Sequence, residues 1–353
     1  MAPEVIQAMN DAARCFVDLP ELQQRVSERI AELTHNEAAY VCCGAAAGLV
    51  LATAVCVTDG NSDLIHCFPH INHLKNEVIV HHNHRNGYDY AVQQVGVKVI
   101  EIGDKNGTQA DELRAAISPK TAAIFWFQGA MTSDLNLPLS DVIQIAAEHN
   151  IPVVVDAAAQ LPPVENLWRF TEMGAALAIF SGGKDLRGPQ SSGLILGKRS
   201  LIEAIPQHGN PNAAIGRPMK VGKEELMGLL AAIERYLKLD HQARDQYCET
   251  TVADWCATLN KIDGLTAERA FPNEAGQPLA RCLVTIDAVR CGISRDMVIE
   301  RLLGGNPAIS VAPQGEHQLY LNPMTLEIGE KQIVCERLIV VVQQTTHTES
   351  VRK

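Results

Sequence analysis

Apolar residues in the first two hundred positions fall into short unbroken runs. Asn76–Val80 (NEVIV), Val97–Gly103 (VKVIEIG), Thr121–Gln128 (TAAIFWFQ), Ile151–Ala158 (IPVVVDAA) and Ala176–Gly182 (ALAIFSG) are rich in β-branched residues. Each run is continuous rather than alternating, which predicts strands covered on both faces. The segments between them place their apolar residues at helical spacing. In LSDVIQIAAEHN, Ser140 is the expected N-cap. Such alternation of strand and helix predicts an α/β domain, doubly wound around a mostly parallel sheet.

After Arg199 the pattern changes. The stretch VGKEELMGLLAAIERYLKLDHQARDQYCETTVADWCATLN predicts a long helix with a break. RCLVTIDA (Arg281–Ala288) and HQLYLNP predict strands, SRDMVIERLLGG a helix capped by Ser294 and ended by glycine, and GEKQIVCERLIVVVQQ a final helix. The expected division is a large domain over residues 1–220 and a linking helix with a small α+β domain over 221–353.

Composition is that of a globular protein, so disorder is not expected. The net charge of −11 argues against a protein whose main task is holding nucleic acid, since phosphate neutralisation needs clustered Lys and Arg. No opening segment has the order of a signal peptide, and no apolar run approaches the length of a membrane span. The ten cysteines contain no C-x-x-C pair, and the adjacent Cys42 and Cys43 cannot easily bridge one another. Reduced thiols in a cytoplasmic protein are expected.

The stretch AIFSGGKDLRGPQSSGLILGKR sets a lysine, Lys184, after an apolar strand and two glycines. Asp156 ends the strand PVVVD. A third piece, CCGAAAGLVLATAVCV (Cys42–Val57), is a turn of small residues leading into an apolar helix, whose first N–H groups can meet an anion. Open α/β sheets bind ligands outside the carboxyl ends of their strands. Singly, each piece has a plainer explanation: a solvated lysine, a helix-capping aspartate, an ordinary helix start. Together they suit pyridoxal 5'-phosphate, which needs a lysine for its aldehyde, a carboxylate for its pyridine nitrogen and an anion site for its phosphate. A lysine near its reference pKa of about 10.4 is a poor nucleophile, and burial or nearby positive charge lowers that value.

In order and wording, the glycine–alanine turn, VVVDAAAQ, SGGK and IGRPMKVGKEE resemble fold-type-I pyridoxal phosphate-dependent enzymes. Within these they resemble the selenocysteine synthase-like family, on the side of the D-glucosaminate-6-phosphate ammonia-lyases. The likeness spans nearly the whole chain, and SGGK-x-LRGPQSSGLI and GRPMKVGKE are its most specific parts. It implies that Lys184 carries the cofactor and moves protons, and that Asp156 pairs with the pyridinium. It implies further that Gly44, Ala45 and Ala46 offer N–H groups to the phosphate, with a hydroxyl from Ser181. His84 would lie over the cofactor ring, although a surface histidine in the histidine-rich HHNHRNGYDY is the alternative. Gln160 would reach the phenolic oxygen, and Arg85 and Arg217 would clamp anionic groups or be plain surface residues.

Two departures bear on the site. The family places a further stretch, with an Asn-Ala-x-Gly-like segment, ahead of APEV, and CCGAAAG stands where a serine-containing loop is usual. The resemblance implies a carbon–nitrogen lyase acting on an amino acid or a phosphorylated amino sugar acid. A racemase, an aldolase or a non-catalytic binder would share the same cofactor parts. Selenium transfer to a tRNA fits an acidic chain less well. A homodimer or higher homo-oligomer is expected, with Arg217 near the partner's cofactor.

Overall fold

The computed structural model describes residues 1–129 and 136–350, with side chains described as far as residue 344. The chain divides into two compact units, Met1–Leu239 and Asp240–Lys353.

The first unit is built on a seven-stranded sheet. Its strands are β1 (Ala38–Cys42), β2 (Glu77–His81), β3 (Lys98–Ile102), β4 (Thr121–Phe127), β5 (Val153–Asp156), β6 (Leu177–Ser181) and β7 (Gly193–Gly197). The order is β1-β7-β6-β5-β4-β2-β3. Strands β2 to β6 are parallel to their neighbours in that set, and β7 runs antiparallel to both β6 and β1. Strands β1, β4, β5 and β7 are buried at every position, as expected for a sheet with helices on both faces. The edge strand β3 is the exception, with Lys98 and Glu101 exposed.

Three helices begin the unit: α1 (Pro3–Ala13), α2 (Leu19–Leu33) and α3 (Ala45–Thr58). Val26 and Ile30 of α2 share one core layer with Val41, Ile79, Ile124 and Val155 of the sheet. On the opposite face, α3 is buried from Ala47 to Thr58 and packs with Val78, Phe125, Val154 and Ile179. The sheet is therefore doubly wound. Gly48 allows this close approach: a Cβ there would stand 2.9 Å from Ile179 Cγ2.

Three local expectations change. The helix after β4 is Leu139–Glu148, it begins after Pro138, and the Ser140 hydroxyl donates to Asp141 rather than capping the helix. β1 lies outside the expected strands, because AAYVC holds a single β-branched residue; it forms by pairing beside β7. The Lys223–Tyr236 helix buries Leu226, Leu229, Ile233 and Tyr236 in the same layer as Ile30, so it belongs to the first unit. The expected break follows it, and Asp240 caps the next helix through the Ala243 N–H at 2.9 Å.

The second unit holds an antiparallel sheet of β8 (Leu265–Ala270), β9 (Arg281–Ile286), β10 (Ala312–Gln314) and β11 (Gln318–Leu321), ordered β10-β11-β9-β8. The helices His241–Leu259, Arg295–Leu303 and Glu330–Ser350 complete it. Trp255, Val284, Leu302, Leu319 and Leu338 form its core. Ser294 caps the Arg295–Leu303 helix as expected, through the Met297 N–H.

Candidate active site

Parallel strands bring their carboxyl ends to one edge of the sheet. At that edge β5 ends on Asp156, β6 on Ser181 and β2 on His81. β1 runs the same way as β6, because both are antiparallel to β7, so the turn into α3 opens at the same edge.

Lys184 lies in the connection from β6 to β7. The connection is cinched by its own backbone: Gly182 N–H donates to Ser192 O, Gly188 N–H to Gly182 O and Arg187 N–H to Lys184 O, each at 2.9 Å. The two glycines before the lysine are sterically required. A Cβ on Gly182 would stand 2.0 Å from Ser192 Oγ, and one on Gly183 2.8 Å from Gln190 Cα. The Lys184 side chain is exposed and makes no hydrogen bond among the described residues. Even so, desolvation of its amine pushes its pKa below the usual lysine value, and the Asp156 charge pulls it back up.

Asp156 is buried, and its Oδ1 accepts the Ala158 N–H at 3.0 Å. The next helix starts only at Asn166, so Asp156 does not cap a helix. Burial raises its pKa, opposed by the Ala158 N–H and the charge of Lys184. For both partners desolvation outweighs mutual attraction. A cationic ring nitrogen facing Asp156 would supply the counter-charge that burial demands.

The anion turn follows β1. Gly44 precedes α3 with φ of 103°, a conformation that favours glycine, and no side chain caps the helix. The N–H groups of the first turn, Ala45 and Ala46 among them, have no partner within the helix. Gly193 presses on this turn from behind: a Cβ there would lie 2.4 Å from Gly44 C. Gly193 also sits opposite Cys42 on one side and Ser181 on the other, so the half-buried Ser181 shares a row with the turn. The position a Gly44 side chain would occupy has nothing within 4 Å. Amine, buried carboxylate and free helix N–H groups form a donor set that fits pyridoxal phosphate.

His84 is 1% exposed, which removes the surface alternative. Its ring meets Trp126 edge-on at 4.4 Å between centroids, and Nε2 faces Asn136 Nδ2 at 3.3 Å. Burial, with a smaller contribution from His81, pushes its pKa down to about 3, so it is neutral. Gln160 is buried, and its amide nitrogen donates to Gln128 O at 3.2 Å. Arg85 is ion-paired with Asp89 and with Glu101, the latter at 2.7 Å. Arg217 is exposed and has no ion pair among the described residues.

Gln128 was passed over in the sequence, although it ends an apolar run just as Asp156 does. Its Oε1 accepts the Trp126 indole N–H at 2.6 Å. An indole N–H only donates, so this contact fixes the amide. The two amide N–H groups of Gln128 are left without a partner among the described residues. Its backbone N–H donates to Asp156 O, so it stands beside the carboxylate.

A doubly wound sheet carrying this lysine, carboxylate and anion turn at one edge defines a fold-type-I pyridoxal phosphate-dependent enzyme. Comparison with known proteins agrees. A family model described as SelA, L-seryl-tRNA selenium transferase, matches residues 89–252. A 5'-C-glycyluridine monooxygenase-decarboxylase from a Streptomyces species is 33% identical, over 95% of this chain and 84% of its own. A D-glucosaminate-6-phosphate ammonia lyase from Salmonella typhimurium is 31% identical, over 96% of this chain and 90% of its own. A solved structure of a D-glucosaminate-6-phosphate ammonia-lyase superposes with a TM-score of 0.84 at 30% identity, covering 98% of this chain and 92% of that one. The chain belongs to the SelA-like family of pyridoxal phosphate-dependent enzymes.

Proposed function

We propose that the protein is an ammonia-lyase that converts an amino acid or a phosphorylated amino sugar acid to a 2-oxo acid. The observation that carries this is the Lys184–Asp156 pair at the sheet edge of a chain that matches the ammonia lyase over 96% of its length. When bound, pyridoxal phosphate supplies an electron sink for negative charge developing at the substrate α-carbon. Lys184 would hold the cofactor and, with its amine free, would take the α-proton on Nζ. Its lowered pKa increases the neutral fraction able to do so. The β-substituent then leaves with its electron pair, and water releases ammonia from the remaining carbon–nitrogen bond.

The other groups bind and orient. Asp156 would hold the ring nitrogen, the Gly44–Ala46 N–H groups and Ser181 would hold the phosphate, and His84 would cover one ring face. Gln160 or its neighbour Gln128 would donate to the phenolic oxygen; Gln128 has amide N–H groups without a partner among the described residues. Arg217 clamps a substrate anion. Arg85 could do the same only by leaving Asp89 and Glu101.

We place the protein in the cytoplasm as a homodimer or higher homo-oligomer. None of the ten cysteines is in a disulfide, and no helix among the described residues is long and apolar enough to cross a membrane. A groove of about 960 Å³ along α2 is lined by Gln23, Ser27, Tyr40, Asn212, Met219 and Val221. It borders the segment carrying Arg217, and a second copy seated there would bring that arginine to the interface. Sedimentation showing an active monomer would overturn the oligomer.

A second reading follows from the Streptomyces relative, whose name describes oxygen-dependent decarboxylation. Incubation with phosphorylated amino sugar acids, D-glucosaminate 6-phosphate first, and with glycyl nucleosides separates the two. Ammonia with a 2-oxo acid, without oxygen uptake, supports the lyase. Carbon dioxide release coupled to oxygen consumption overturns it.

A further inference from the structure

Beside Lys184 lies a buried carboxylate that the chemistry above does not use. Asp185 is 3% exposed, and its Oδ2 accepts the hydroxyl of Tyr236 at 2.6 Å. Tyr236 is itself fully buried, as the last residue of the Lys223–Tyr236 helix. It sits in the core layer that includes Leu186, Leu229 and Ile233. Burying a carboxylate costs more than burying an apolar side chain of similar size, even when it is paired. Stability alone therefore gives no reason for an aspartate at this position.

The residues around it lie against the same helix: Leu186 is buried with Leu229 and Ile233, and a Cβ on Gly188 would stand 3.2 Å from Ala232 Cβ. The turn is closed on itself by Arg187 N–H to Lys184 O and Gly188 N–H to Gly182 O, and Gln190 Nε2 donates to Gly183 O at 3.1 Å. Arg187 adopts φ of 54°, a left-handed conformation unusual for a side-chain-bearing residue. A left-handed residue persists where its surroundings over-determine it. The Asp185–Tyr236 contact ties the residue next to Lys184 to a helix that is fixed in the core.

We infer that Asp185 and Tyr236 are positioning residues: their hydrogen bond sets the backbone from which Lys184 reaches the cofactor. The inference rests on the reading that Lys184 carries pyridoxal phosphate. A short buried hydrogen bond of this kind holds direction as well as distance. Without it the residue next to Lys184 loses a directional tie to the helix, and the lysine amine loses its alignment with the cofactor aldehyde.

The test uses the purified holoprotein and the variants Tyr236→Phe, Asp185→Asn and Asp185→Leu. Borohydride reduction with peptide mapping of the wild type comes first, and a label elsewhere than Lys184 overturns the underlying reading. With Lys184 labelled, the rate of cofactor release to excess hydroxylamine is followed by the visible absorbance of the bound cofactor, alongside the thermal unfolding of each apoprotein. Tyr236→Phe removes one oxygen and keeps the packing. It should release cofactor at least about tenfold faster, equivalent to about 1.4 kcal/mol, with little change in apoprotein melting. Asp185→Asn keeps an acceptor for the Tyr236 hydroxyl and should stay near wild type, whereas Asp185→Leu should resemble Tyr236→Phe. Wild-type release rates in Tyr236→Phe, with Lys184 still labelled, overturn the inference even if Asp185→Leu fails to fold.

Discussion

The two sheets of this chain put polar groups in different places. In the seven-stranded sheet β1, β4, β5 and β7 are buried end to end, and the candidate site groups come at the carboxyl ends: Asp156, Ser181 and, one residue past β4, Gln128. In the four-stranded sheet β8 alternates, burying Leu265 and Ala267 and exposing Thr266 and Glu268. Its most buried charge, Arg281, meets Glu274 at 3.1 Å. A sheet covered on both faces can keep a polar side chain within reach of a ligand only at its ends. In a sheet with one wet face, a polar residue needs no other explanation than water.

That contrast can be broken most directly at Lys184. Lys184→Ala should lower turnover by roughly 10²–10⁴-fold or more, the range of a lost acid–base group, and abolish borohydride-dependent labelling. Melting of the apoprotein should hardly move. Asp156→Asn comes next, with turnover down by orders of magnitude at about 1.4 kcal/mol of barrier per tenfold loss. Here the pH dependence gives an independent readout. Burial raises the Asp156 pKa in the folded chain, so the folded state holds this proton more tightly than the unfolded one. The apoprotein should therefore lose this contribution as pH rises out of the ordinary carboxylate range and through the raised value. In Asp156→Asn that slope should vanish; equal slopes in both proteins would mean the carboxylate is not strained by burial.

Gly193→Ala probes the anion turn from behind. The added Cβ has no room against Gly44 C, so β7 or the turn must shift. Cofactor affinity, measured by equilibrium dialysis, should weaken about tenfold, and stability should fall by about 1–3 kcal/mol, the usual range for overpacking. In the second unit, Leu319→Ala should cost about 2–5 kcal/mol of unfolding free energy and leave labelling of Lys184 intact; loss of the label would erase the distinction between the sheets. Acid gives a readout that needs no substitution. His81 and His208 are held down to about 4 and His84 to about 3 by burial, below their unfolded value near 6.5. The unfolded chain binds more protons in that window, so stability should fall as pH drops from about 6.5 toward 4. His84→Phe should flatten the lower part of the acid melting profile.

The same logic explains what the sequence revealed. Strands β2, β4, β5 and β6 were visible because their apolar runs are unbroken, and Lys184 and Asp156 because each interrupts or ends such a run. β1 was invisible: EAAYVCC has no run of branched residues, and the pairing of Ala38 with Gly197 makes it a strand. The division between units falls after Leu239 rather than after Lys220, since the helical pattern after Val221 does not say which core receives Leu226 and Ile233. The burial of His84 depends on Trp126, a neighbour that no local pattern announces. Gln128 carried the same signal as Asp156, but an amide draws less notice than a charge.

The position of β1 has a consequence for the order in which the protein is made. Gly44, which opens the anion turn, lies near the start of the chain, while its supports Gly193 and β7 come much later. Ala38 finds its partner only when Gly197 has been synthesised. During translation the first strand waits, with its hydrogen-bonding edge unpaired, until nearly the whole first unit has left the ribosome. A nascent chain truncated before β7 lacks both the lysine hairpin and the wall behind the anion turn. The anion turn thus takes its final shape only after β7 has been made and has paired with β1.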